Sequence, residues 1–210
     1  CMAEAVVDIE RELAIMVARS ARGEMALYPV VEAEFDPAAN ILDTIRAPAA
    51  VSDEVAARCV ALATRAIEAL DGVGIFGIEL FLARSGEVIV NEISPRPHNS
   101  GHYTIEACAT SQFEQHLRAV TGLPLGPTTL LRPAASFNLL GAPGAHGLPV
   151  YRGLDDLART PGAALHLYGK HDVKPYRKMG HITVTGASGS EAAAKAAQLR
   201  TRVRVEGKGS

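Results

Sequence analysis

Glu79 and Glu92 stand thirteen residues apart, and the stretch between them is suited to bring their carboxylates face to face. Gly72 to Leu82 is an apolar run that reads as a strand. Arg84-Ser85-Gly86-Glu87 reads as a turn and Val88 to Glu92 as the returning strand. With Ser85-Gly86 at the turn centre, Arg84 pairs with Glu87, Phe81 with Val90, and Glu79 with Glu92. Like charges directly opposite on a sheet repel, so a cation between them is one reading. A magnesium ion carrying a nucleotide's phosphates fits, because it favours one or two carboxylates plus phosphate oxygens. The other reading is a solvated hairpin whose acids point outward. These residues alone leave both open.

The ten residues after Glu92 are dense in groups that bind anions or carry protons: Ile93-Ser94-Pro95-Arg96-Pro97-His98-Asn99-Ser100-Gly101-His102. Two prolines and a glycine argue for an ordered loop leaving the acidic hairpin. Arg96 offers a planar fork for a carboxylate, bicarbonate or phosphate. His98 and His102 donate, accept or shuttle protons, and Asn99 both donates and accepts. Each alone has a structural explanation; four within seven positions, directly behind a carboxylate pair, read as an active-site loop. A second polar segment, Lys170 to His181, holds Lys170, Lys174, Arg177 and Lys178 between two expected strands. On composition alone it is a solvated basic loop.

The elements that position these groups follow from periodicity. Leu13–Ala18 and Met25–Val31 are expected as strands around an Arg22-Gly23 turn, and Ile41–Ile45 as a third. From Ser52 the pattern is helical, with Val55, Cys59, Leu62, Ala66 and Leu70 on one face and Asp53 and Glu54 opposing the dipole in the first turn. After the hairpin and loop, a helix is expected over about 111–121 with Phe113, Leu117 and Val120 facing inward. Gly122-Leu123-Pro124 stops it. Strands follow near 134–140, 163–168 and 182–185, then an Ala-rich helix from about Ser190.

A net charge of −2, from 21 basic and 23 acidic residues, gives no bulk attraction to nucleic acid or membrane. No apolar run approaches a membrane span of roughly 18 residues. Cys1, Cys59 and Cys108 are odd in number and lack metal-ligand spacing, which favours reduced thiols in the cytoplasm. Cys59 is expected in the core.

The stretch FGIELFL…GEVIVNEISPRPHNSGHYTIEACATSQFEQHLRAVTGLPLG closely resembles N5-carboxyaminoimidazole ribonucleotide synthetase, the ATP-grasp ligase of purine biosynthesis also called the ATPase subunit of phosphoribosylaminoimidazole carboxylase. Upstream, ERELAIMVARSARGEMALYPVVE and ILDTIRAPA match its ATP-grasp strands. Downstream, NLLG and HLYGK…RKMGHITV match its small C-terminal domain. The resemblance covers roughly residues 1–200. It implies an α+β fold: residues 1–125 as the C-terminal, antiparallel-sheet part of the ATP-grasp domain, 126–205 as a small β-rich domain closing the substrate site, and 206–210 as a tail.

It also implies roles. Glu79 and Glu92 would hold Mg2+. Glu4, Ala5, Val6 and Val7 would form the adenine hinge and Glu12 would take the ribose hydroxyls of ATP, with Asn91 and Glu92 also at the nucleotide. Strand alternation, however, puts Asn91 on the face opposite Glu92. Arg96 and His98 would be catalytic, Arg96 on bicarbonate and carboxyphosphate. His98 and Asn99 would position 5-aminoimidazole ribonucleotide, and Lys170, Arg177 and Lys178 would grip its 5′-phosphate. Phe35, with Asp36 to Asn40 behind it, stands where many family members carry a His near the nucleotide. The family's front domain and lid have no counterpart here, so this chain reads as the carboxy-terminal part of a homodimeric enzyme, inactive alone. The rivals are another ATP-grasp ligase, such as formate-dependent glycinamide ribonucleotide transformylase, and a non-catalytic dimerisation fragment.

Overall fold

The computed structural model describes residues 3–36 and 41–208. Cys1 and Met2, residues 37–40 of the Asp36–Asn40 insertion and the last two residues of the expected tail lie outside the described residues. Eleven strands and five α-helices follow in order: β1 (Ile9–Arg19), β2 (Met25–Leu27), β3 (Val31–Asp36), β4 (Ile41–Ala47), α1 (Asp53–Leu70), β5 (Gly74–Ala83), β6 (Val88–Ser94), α2 (Thr104–Ala107), α3 (Gln112–Thr121), β7 (Ala134–Leu140), β8 (Pro149–Arg152), α4 (Leu154–Ala158), β9 (Ala163–Leu167), β10 (Lys178–Thr185), α5 (Gly189–Arg202) and β11 (Arg204–Gly207). A single turn of 3₁₀ helix at Asn99–Gly101 precedes α2.

One antiparallel sheet carries nine of these strands, in the order β6-β5-β1-β3-β4-β7-β10-β9 with β2 also on β1. It runs unbroken through the expected 125/126 boundary, because β4 pairs with β7 from Thr44↔Phe137 to Ala47↔Ala134. The boundary is a change of covering layer within a continuous sheet. On the first half, α1 covers one face through Cys59, Ala63 and Ile67, which meet Leu13, Ile15, Val17, Ile78 and Leu80. On the second half α5 packs Ala192, Ala196 and Leu199 against Phe137, Ile182 and Val184. The other face of the first half buries Ala14, Met16, Ile75, Tyr28 and Tyr103.

The helices α1 and α3 start where serines cap them. Ser52 Oγ accepts from Val55 N at 3.3 Å, and Ser111 Oγ accepts from Glu114 N at 3.2 Å. Cys59 is fully buried, as its place on α1 led us to expect. Leu70 is not on the inner face; it is exposed where α1 ends at Asp71.

Four further expectations are corrected. The Met25–Val31 strand is two strands, because Pro29 has no N–H to give a ladder and breaks the run. Phe113, Leu117 and Val120 do not face inward: they are 40%, 61% and 49% exposed, and Gln112, Gln115 and Ala119 form the buried side of α3. Apolar periodicity named the wrong face because the buried one satisfies backbone groups of two loops. Residues 206 and 207 are not tail but the end of β11, which pairs with β8 as Glu206↔Val150 and Gly207↔Pro149. Lys178 does not lie in the basic loop; it opens β10.

Candidate active site

The acidic hairpin forms with Glu79 opposite Glu92, but by a different route from the expected one. Near the turn, Leu82 pairs with Val88, Phe81 with Ile89 and Leu80 with Val90, so neither Phe81–Val90 nor Arg84–Glu87 is a pair. The loop is longer by one residue: Ala83 N donates to Glu87 O at 2.9 Å, and Gly86 takes φ +85°, a conformation that favours glycine. Asn91 then enters as an extra residue in a β-bulge, and the two shifts cancel at the carboxylates.

The bulge also changes where Asn91 points. Val90 and Ile93 both pack under α1, so the residues between them share the other face. Asn91 therefore lies with Glu92 rather than opposite it. With Phe81, Ile89 and Val90 it lines a hollow of about 360 Å³ completed by Glu4, Ala5, Val6, Val7 and Ile9. That volume is in the range of small-ligand pockets. The expected hinge segment and Asn91 thus stand together in one cavity.

Glu12 pairs with Phe81 and Ala14 with Glu79 across β1 and β5, which puts Glu12 on the same face as the acidic pair. Burial pushes the Glu79 carboxyl up, and the nearby charges of Glu92 and Glu12 push it the same way, against Lys178 and Arg96. Burial also raises Glu12. Ser94 Oγ donates to Glu92 Oε1 at 3.1 Å and holds that carboxylate in place. Among the described residues no group of three or more His, Cys, Asp or Glu is arranged as a self-contained metal cage. The opposed pair, with its mutual repulsion, is a donor set that suits a hard cation completing its shell with phosphate and water oxygens.

His98 lies over β5, its Nε2 3.7 Å from Glu79 Oε1. It fits there because position 77 is glycine: a Cβ at Gly77 would come within 2.5 Å of His98 Cβ. A lone glycine inside a strand is a sequence signal for such close approach. Burial lowers the His98 pKa to about 4, helped by Arg96, so the ring is neutral near pH 7 and its contact with Glu79 is not an ion pair. Its Nδ1 lies 2.8 Å from Ser100 Oγ. Arg96 is exposed, with Nη1 donating to Pro97 O at 3.1 Å. Asn99 turns elsewhere, into a narrow hollow with Asp43, Ile45, Ser136, Phe137 and Asn138.

The three expected phosphate ligands separate. Lys178 is half-buried and faces the acids; burial lowers its pKa, with Glu79 acting in the opposite sense. Lys170 Nζ donates to the Lys178 carbonyl at 2.6 Å. Arg177 is engaged by Asp172, whose Oδ2 lies 2.9 Å away and whose carbonyl accepts at 3.0 Å.

Between the catalytic loop and the second half of the sheet lies a column of rings that the sequence reading did not assign. His166 stacks on His181 at 4.5 Å, His181 on His102 at 4.4 Å, and His102 on Phe113 at 5.9 Å. His166 Nε2 meets Glu106 Oε1 at 2.7 Å, and Tyr168 Oη meets His181 Nδ1 at 3.1 Å. Rings stacked face to face cannot turn their nitrogens to one ion, so the column is packing rather than a metal site. Burial lowers the pKa of His102 to about 4 and that of His181 to about 3.

The ATP-grasp domain family matches residues 1–113, and the phosphoribosylaminoimidazole carboxylase C-terminal domain family matches 134–195. N5-carboxyaminoimidazole ribonucleotide synthase from Bacillus subtilis is 45% identical over 183 residues, covering 87% of this chain and 46% of that protein. The solved N5-carboxyaminoimidazole ribonucleotide synthetase from Thermotoga maritima superposes with a TM-score of 0.92 at 51% identity, covering 98% of this chain and 55% of that one. The Aspergillus clavatus synthase, solved with ADP and 5-aminoimidazole ribonucleotide, gives a TM-score of 0.83 at 36% identity, covering 93% of this chain and 52% of that one. The chain spans about half the length of these relatives.

Proposed function

Since the chain belongs to the ATP-grasp family, in its N5-carboxyaminoimidazole ribonucleotide synthetase branch, we propose that it supplies one half of an enzyme that carboxylates the amine of 5-aminoimidazole ribonucleotide. ATP and bicarbonate are consumed, and ADP, phosphate and the N-carboxy product are released. The observation that carries the reading is the convergence, on one sheet face, of Glu79 opposite Glu92, with Glu12, His98 and Lys178 around them.

Adenine sits in the hollow of Glu4 to Val7 and Asn91, with backbone groups of the hinge reading its edge. Glu12, farther along the face, takes the ribose hydroxyls. Glu79 and Glu92 hold magnesium, which when bound neutralises phosphate charge during phosphoryl transfer. Arg96, exposed beside the acids, binds bicarbonate and the carboxyphosphate made from it. His98 orients the ribonucleotide, and Asn99 joins it only after leaving the separate hollow it now lines. Lys178 is already directed at the site, whereas Lys170 and Arg177 reach the 5′-phosphate only after leaving their present acceptors.

The supporting half of the molecule is the relatives' additional length, so the 210-residue chain alone is expected to show no turnover. The exposed stripe of Phe113, Leu117 and Val120 gives a second copy an apolar face for a homodimer. Cys59 and Cys108 are free and buried, which suits the cytoplasm. Among the described residues no helix is long and apolar enough to cross a membrane.

The test is ADP release by the full-length protein. It should require 5-aminoimidazole ribonucleotide and bicarbonate together. Turnover supported by formate and glycinamide ribonucleotide instead would overturn the assignment.

A further inference from the structure

Gln112 is fully buried at the start of α3, and both atoms of its amide are used. Oε1 accepts from His98 N at 2.9 Å, and Nε2 donates to His98 O at 2.8 Å. A backbone N–H only donates and a carbonyl only accepts, so the orientation of this amide is fixed without reference to any side chain. Nε2 also lies 3.1 Å from His102 Nδ1. That ring nitrogen must then accept, which leaves the His102 proton on Nε2. The loop closes around the amide because Gly101 has no side chain: a Cβ there would come within 2.6 Å of Oε1. Thr104 Oγ1 in turn accepts from Gln112 N at 2.9 Å.

Three residues on, Gln115 is buried to the same degree and holds a loop in the same reciprocal way. Its Nε2 donates to Gly126 O at 2.7 Å, and its Oε1 accepts from Gly126 N at 2.8 Å. The two glutamines differ in what they hold. Gln115 fixes the exit of α3. Gln112 fixes the residue whose ring lies 3.7 Å from Glu79, and also the ring that begins the column leading to β10.

We propose that Gln112 is a positioning residue for the carboxylation, setting the place of the His98 ring over the acidic pair and linking it through His102 to the strand that carries Lys178. The proposal rests on the carboxylation reading above only for its kinetic arm. Gln112→Ala and Gln115→Ala each remove one buried backbone clamp and should destabilise the full-length enzyme alike. Only Gln112→Ala should lower kcat, by about 10- to 100-fold, as expected when a reacting group shifts by an ångström. KM for ATP should stay within about twofold, since neither Gln112 nor the residues it holds line the hinge hollow. Gln112→Glu, of equal size, keeps the acceptor and loses the donor; it serves where the alanine variant does not fold, and should show the same kcat loss.

The second readout needs no turnover. Hydrogen exchange at the His98 amide, whose acceptor is Gln112 Oε1, should accelerate in Gln112→Ala and stay unchanged in Gln115→Ala and in Gln112→Glu, which keeps that acceptor. Equal kcat losses in the two alanine variants, undisturbed His98 exchange in Gln112→Ala, or an undiminished kcat in Gln112→Glu would overturn the proposal. A wild-type enzyme inactive on the ribonucleotide would sink the carboxylation reading instead, and the exchange measurement would still decide the clamp.

Discussion

The two charged sides of the site are built differently. The acidic side stands on paired strands: Glu79, Glu92 and Glu12 project from backbone fixed by ladder hydrogen bonds on both sides of β5. The basic side stands mostly on the segment between β9 and β10, and two of its three cations are occupied within that segment. Lys178, the cation that faces the acids, is the one on a strand. Groups that must meet a metal and a transferring phosphoryl group need placement to a fraction of an ångström, which sheets supply. A group that grips a distant phosphate tolerates a loop and can reorganise when the ligand arrives.

The sharpest way to break this comparison is to alter the strand-borne side. Glu92→Gln in the full-length enzyme keeps size and the Ser94 contact but removes a charge. Loss of several kcal/mol of phosphoryl stabilisation corresponds to a fall in kcat on the order of 10³. Unchanged magnesium dependence of ATP binding would show that the opposed acids do not share the ion. On the loop-borne side, Arg177→Lys should raise KM for the ribonucleotide by about tenfold while leaving kcat nearly intact, because a bidentate fork becomes a point charge. An equal loss in kcat would place Arg177 with the chemistry instead.

How far the sequence went follows the same division. The acidic pair was legible because strand pairing carries carboxylates at that separation to one place, yet the expected register was wrong near the turn. It came out right at Glu79 and Glu92 because a three-residue loop and the Asn91 bulge offset each other. No local pattern announces a bulge, so Asn91 was assigned to the wrong face by alternation. The inner face of α3 was misread for a related reason: its polar side is buried to hold two loops, and apolar periodicity cannot report hydrogen bonding. His166 and His181 went unassigned because their partner, His102, lies more than sixty residues away along the chain. Gly77 was the one unread signal that a ring rests on β5.

The column of rings joins the two sides, and acid should loosen it. His102 and His181 bind protons only near pH 4 and pH 3 in the folded chain, against about 6.5 when unfolded. The unfolded chain therefore takes up protons first as pH falls. The stability these rings contribute is fully present above pH 6.5 and is lost as the pH drops from 6.5 toward 4. Each ring adds a slope of about 1.4 kcal/mol per pH unit in that window. Urea denaturation at pH 7 and pH 5 measures it. His181→Phe, which keeps a flat ring between its neighbours, should flatten the dependence; an unchanged slope would mean the column does not carry it.

The smallest effect expected is at Asp172. This carboxylate holds Arg177 by both its side chain and its carbonyl, and it also lies 4.0 Å from Lys174 Nζ. Asp172 and Lys174 are open to solvent and Arg177 is partly so, and the ion pairs therefore add little to stability. If the loop trades these contacts for a phosphate, Asp172→Asn removes a competitor for Arg177. KM for the ribonucleotide should then fall by about two- to fivefold, since an exposed ion pair is worth on the order of 1 kcal/mol. Inorganic phosphate should inhibit the variant correspondingly better. A rise in KM would mean that Asp172 orients Arg177 for the ligand rather than withholding it, and the loop would then be as preorganised as the strands.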